Sequence, residues 1–173
     1  MNESTSMIVL RLIHIISGVF WAGTAMSIAW FLLPAQSALG QAGGAFMREL
    51  MFRKRLRPFL LGAMGLTILS GLAMYGRLAM VTDGTWASSG TGMTLGIGAV
   101  AAVIAGGIGG GVVGSAAKKM MALGDRIQAS GGPPTDEEQR QMQALQSRIV
   151  SSFRIVAILL VISVAAMASA RYL

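Results

Sequence analysis

Four stretches of the chain are almost wholly apolar, at residues 7–33, 58–80, 92–117 and 149–170. Each reaches or passes the roughly 20 residues that carry a helix across the hydrocarbon of a bilayer. The second is opened by Arg57-Pro58, and proline is tolerated in a first helical turn. The third closes on Lys118-Lys119 and the fourth on Arg171. The pattern predicts an all-α, four-transmembrane-helix bundle forming one integral membrane domain over 1–173. An even number of spans puts both termini on one side of the membrane.

The polar segments between the spans assign that side. The first loop holds Arg48, Arg53, Lys54, Arg55 and Arg57 against Glu49, and the third holds Lys118, Lys119, Arg126, Arg140 and Arg148. The short loop at 81–90 carries Asp83 and no basic residue. Positively charged loops are retained in the cytoplasm, so these are two basic cytoplasmic loops, with N-terminus and C-terminus outside. Tyr75, Trp86 and Tyr172 then fall near the outer boundary, where an aromatic belt sits. Arg11, Arg77 and Arg154 lie within reach of a boundary and can snorkel to it.

Residues 1–6 are polar and carry Glu3, whereas a secretory signal has a basic start and a shorter apolar core. The first apolar run is therefore expected to stay as a membrane helix. In the first loop, 45–53 mixes apolar and basic residues as a short helix lying on the inner membrane surface does. Ser130-Gly131-Gly132-Pro133-Pro134 is turn chemistry. Thr135 with Glu138 reads as a capping box, opening a polar helix from about Asp136 that runs into the fourth span.

Composition fits a membrane protein: of 173 residues 54% are hydrophobic and 12% charged, about half the charged share of a soluble domain. The net charge of +7 sits in the loops between spans, which argues for membrane orientation and against a nucleic-acid partner. The absence of cysteine removes disulfides, thiolate metal sites and thiol nucleophiles. The spans hold no acidic residue, so a cation pathway has no carboxylate to use, and no serine has a partner base. No catalytic residue is assigned.

Two motifs remain. Gly109 to Gly114 spells G-x-G-x-x-G, but a dinucleotide fingerprint needs a preceding strand and an acidic residue about 20 positions on, and neither is present. The same glycines read as helix packing: Gly106, Gly110 and Gly114 share a face, with Gly107 and Gly111 beside them. Small residues let helix backbones approach closely in lipid, where burial adds little drive. The partner for that face is another span, a second copy of the chain or another membrane subunit. Glycine also weakens a helix by about 1 kcal/mol relative to alanine, which allows a kink here.

The other is His14, the chain's one histidine, inside the first span. An ionisable side chain at membrane depth is a functional candidate by default. Two readings stand open. His14 is a neutral ring hydrogen-bonded across helices to a serine or backbone carbonyl, or it is a ligand of haem iron or copper. Gly18 one turn on would leave room for a flat ligand, and a second ligand would come from a methionine or another subunit's His14. The chain has 13 methionines, of which Met7, Met74, Met80, Met93 and Met167 fall toward the outer half; thioethers suit Cu(I) but are also ordinary packing.

The segment 12–23, Leu-Ile-His-Ile-Ile-Ser-Gly-Val-Phe-Trp-Ala-Gly, resembles the first helix of small bacterial four-helix membrane proteins. These are the copper-resistance D-like group and the domain-of-unknown-function 2269 family. The stretch 69–75 and the ending Ala170-Arg171-Tyr172-Leu173 are similar as well. The resemblance implies a multi-pass protein of the bacterial inner membrane, with copper uptake as its named activity. In the related protoporphyrinogen oxidase type the first-helix histidine is associated with haem, a role that only His14 could inherit. This chain lacks the arginine and further histidine that the oxidase pattern carries after Trp21, reading Ala29-Trp30-Phe31-Leu32-Leu33-Pro34 instead. The expected role is non-enzymatic, accessory or structural, with haem b or copper binding at His14 as the alternative.

Overall fold

The computed structural model describes residues 3–173; Met1 and Asn2, the head of the polar lead at 1–6, lie outside it. Among the described residues the secondary structure is helical throughout. Helix α1 spans Glu3–Ser27, α2 Leu33–Ala38, α3 Gly40–Arg48, α4 Leu56–Val81, α5 Gly90–Gly107, α6 Gly114–Ser130 and α7 Asp136–Ser169. Widened π turns at Ile28–Leu32 and Ile108–Val113 join α1 to α2 and α5 to α6 without ending either rod. Four rods of 35, 26, 41 and 37 residues are long and apolar enough to cross a membrane.

Both π turns have a local cause. Pro34 in the first turn of α2 cannot donate to the carbonyl four residues back, and its ring presses on that carbonyl. The widened turn before it absorbs the misfit, a recognised origin of helix kinks. At Ile108–Val113 three consecutive glycines occupy the turn, and glycine has little helical preference to resist widening. The glycine cluster, which allows a kink, carries this π turn.

The rods pack antiparallel in chain order, α1 on α4, α4 on α5 and α5 on α7, with α7 closing back on α1. Two core clusters stack along the axis. One joins Trp21, Ala22 and Ala25 to Ala63, Ala102, Ala105, Val156 and Leu160. The other joins Ile28, Leu33 and Met47 to Val113, Ala116 and Ile149. Alanine predominates in the first because close van der Waals approach, and not burial from water, holds helices together in lipid. The outer faces are aliphatic and aromatic, with Val19 71%, Phe31 70% and Leu69 68% exposed, as lipid-facing side chains are.

The loops follow their turn chemistry. Gly40 at φ +55 turns α2 onto α3, and Gly43 has no room for a Cβ against the Gln36 carbonyl. The interfacial segment expected at 45–53 is α3 extended by a π turn at Glu49–Arg53. Gly131, at φ +67, ends α6 in the left-handed conformation glycine favours there. Thr135 and Glu138 form the reciprocal capping box, and α7 runs unbroken from the polar segment through the fourth span. At ~1.5 Å per residue the third and fourth rods measure about 60 and 55 Å, roughly twice the hydrocarbon thickness. Their α6 and α7 ends therefore project as a helical hairpin.

Candidate functional site

His14 is half-buried on the face of α1 that packs on α4. Its Nδ1 lies 2.8 Å from the backbone carbonyl of Thr67 and 3.5 Å from Ser70 Oγ. A carbonyl only accepts, so Nδ1 carries the hydrogen and donates it. In the neutral ring this leaves the lone pair on Nε2. That atom has no hydrogen-bond partner among the described residues, and no fully enclosed polar side-chain atom there lacks one, so Nε2 reaches the surface of the helix pair.

A small polar cluster surrounds the ring. Thr67 Oγ1 lies 2.7 Å from the Ala63 carbonyl and 2.8 Å from Ser17 Oγ, its one hydrogen shared between them, and Ser17 donates to the Ile13 carbonyl. Ser70 donates to the carbonyls of Leu66 and Thr67. Ser17, Thr67 and Ser70 are all buried. Each hydroxyl hydrogen ends on an acceptor, which is how polar groups persist away from water. Gly71 completes the seat: a Cβ there would stand 2.8 Å from His14 Cε1 and 3.0 Å from Nδ1. The gap beside Gly18 is filled by Thr67, whose Cγ2 lies 3.4 Å from where a Cβ would be. The space foreseen there for a flat ligand is thus occupied by α4, and Nε2 is the open side of the ring.

Ser17, Thr67, Ser70 and Gly71 were not singled out by sequence reasoning. The signal was a serine three residues after the histidine, and the small residues Thr67, Ser70 and Gly71 on one face of an apolar span.

The glycine positions separate into two groups. A Cβ at Gly106 would meet Ile68 Cδ1 at 2.9 Å and Met64 Sδ at 3.3 Å. A Cβ at Gly110 would make ordinary contact with Met64, and one at Gly114 would lie 3.6 Å from the Arg57 guanidinium. Gly107 and Gly111 are exposed, with nothing within 4 Å. A further close approach lies at Gly98, where a Cβ would stand 3.2 Å from Ala166 Cβ and from the Ser163 carbonyl. It holds α5 to α7.

At the other end of α4, Tyr75 donates to the Gly92 carbonyl at 3.2 Å and meets Trp86 edge-on, with ring centroids 5.2 Å apart. This ties the turn at 82–89 to two helices. Among the described residues no three His, Cys, Asp or Glu side chains come together as a metal set. No family model, no curated protein and no solved structure matches this chain.

Proposed function

We propose that this is a small multi-pass protein of the bacterial inner membrane with a non-enzymatic, accessory or structural role. In this reading both termini lie outside, and the bundle packs against helices of another subunit or of a second copy. It is kin to the copper-resistance D-like and domain-of-unknown-function 2269 proteins, on the likeness of segments 12–23 and 69–75. The observation that carries the reading is the division of the glycines: Gly106 is spent inside the bundle, while Gly107 and Gly111 stand bare on its outer face. His14 acts here as a clasp, tying α1 to the backbone of α4. A Gly107→Leu/Gly111→Leu variant tests it, by oligomeric state and co-purifying subunits in mild detergent. Loss of assembly with an intact fold is expected; unchanged assembly would refute it.

A second reading is favoured by the ring itself. An imidazole whose Nδ1–H is fixed by a carbonyl presents Nε2 as a ligand, the arrangement common at haem and metal sites. We propose as the alternative a haem b or copper protein, for electron transfer or copper handling, with Nε2 of His14 as the protein nitrogen. The chain offers no second imidazole, so a methionine or the His14 of another copy would complete the set. An oxidised-minus-reduced visible spectrum with metal analysis, beside His14→Ala, decides between the two.

A further inference from the structure

The basic residues are segregated along the projecting end of the bundle. A band at 48–57, 118–119, 148 and 154 holds nine lysines and arginines against one carboxylate, Glu49. Four other acids, Asp125, Asp136, Glu137 and Glu138, lie at the far tip of the α6–α7 hairpin. One apolar cluster runs through Met47, Val113, Ala116 and Ile149, so the cations flanking it on α3, α6 and α7 stand at one level of the molecule.

Within this band, among the described residues, Arg53 alone has an acidic partner, Glu49 at 3.4 Å. Arg48, Lys54, Arg55, Arg57, Lys118 and Lys119 make no ion pair among the described residues. Two of them reach across to α6. The Arg57 guanidinium lies 3.6 Å from the Cβ position of Gly114, and that of Arg48 lies 3.8 Å from that of Gly124. Exposed apolar side chains accompany the charges: Leu39 at 62%, Phe46 at 53% and Phe52 at 36%. Counted from Gly90, Lys118 stands about 42 Å along its rod, beyond ~30 Å of hydrocarbon and at the depth of the headgroups.

We infer that this band binds the phosphate headgroups of anionic phospholipids at the leaflet facing the basic loops. Unpaired cations at headgroup depth meet a surface of the opposite sign, as juxtamembrane basic clusters do. Phe46, Phe52 and Leu39 enter the acyl boundary beside them, as the apolar side of an interfacial helix does. A free phosphate or an acidic soluble protein would match the cations and leave those three side chains in water. The acidic tip is carried away from the same surface by the length of the hairpin.

The test is native mass spectrometry of the full chain released from nanodiscs of equal phosphatidylglycerol and phosphatidylcholine with matched acyl chains. Wild-type protein is expected to retain phosphatidylglycerol about fivefold over phosphatidylcholine. Lys54→Gln/Arg55→Gln/Lys118→Gln/Lys119→Gln, four exposed positions, should bring the ratio near unity. Arg126→Gln/Arg140→Gln at the tip should leave it unchanged. Should the fourfold variant misfold or invert, wild type prepared at about 1 M salt, where screening falls to about 3 Å, must show the same loss. Equal retention of the two lipids, or enrichment that survives both treatments, overturns the inference. So does displacement by millimolar inorganic phosphate, which would mark a discrete anion site. Lipid retention is read on the isolated chain, so it is independent of the oligomer assay above.

Discussion

Gly71 of α4 lies against the imidazole of His14 on α1, so close that a methyl at position 71 would stand 2.8 Å from Cε1. The pair sets how near the two helices come and holds the ring on the Thr67 carbonyl. Gly71→Leu should destabilise the bundle by about 1–3 kcal/mol, the usual range for overpacking. Gly76→Leu on the same helix, where nothing lies within 4 Å, should be neutral or slightly stabilising. Equal thermal midpoints for the two variants in detergent would contradict the contact.

The His14 hydrogen bond is a cross-helix bond in a membrane bundle, a type worth about 0.6 kcal/mol on average and up to about 1.7. His14→Leu, which keeps the bulk and loses the donor, should cost an amount in that range. Thr67→Val should cost less from the histidine's side, since His14 uses the Thr67 backbone, but it breaks the chain through Ser17. Unfolding titrations of the single and double variants should give nearly additive losses. A large coupling energy would mean that the hydroxyl chain positions the ring.

The four spans, the loop charges and the capping box could be read in the sequence because each depends on residues close in the chain. Hydropathy needs about 20 consecutive positions, and the box needs Thr135 and Glu138 alone. The surroundings of His14 could not be read so, because they depend on the register of α1 against α4. Thr67 is 53 positions from His14, and only helix packing decides that its carbonyl faces the ring. The glycines divide for the same reason. Gly106 and Gly107 are adjacent and alike in composition, yet one meets Ile68 and the other faces outward, a difference of about 100° around the helix. The π turn at 108–113 shifts that register again and lies outside any fixed-period reading.

Acid should loosen the first turn of α7. The Thr135 backbone N–H and hydroxyl each donate to Glu138 Oε2 at 3.0 Å, and Arg126 lies 3.8 Å from Oε1. The backbone hydrogen bond chiefly, then the hydroxyl, hold the Glu138 carboxyl below the ordinary glutamate range, with Arg126 adding a lesser pull and partial desolvation opposing them. A carboxyl lowered on folding contributes stability that is complete above its unfolded pKa and is lost as pH falls through the folded one. Hydrogen exchange at the amides of Thr135, Glu138 and Gln139, corrected for intrinsic rates, should therefore quicken on acidification below the glutamate range. Thr135→Ala should show fast exchange already at neutral pH. Protection that is flat with pH would exclude the ionised box.

The membrane orientation can be tested cleanly because the chain has no cysteine of its own. The turn at 82–89 and the hairpin tip near Ser130 lie at opposite ends of the α5–α6 rod, and both positions are exposed or nearly so. Ser88→Cys and Ser130→Cys touch neither His14 nor the open glycine face. With the basic loops in the cytoplasm, an impermeant maleimide applied to intact cells should label position 88 and spare 130. After the membrane is opened, both should label. Reaction of 130 from outside, with 88 protected, would turn the bundle over. It would also move the basic band to the other leaflet, where the surface charge of the membrane no longer favours it.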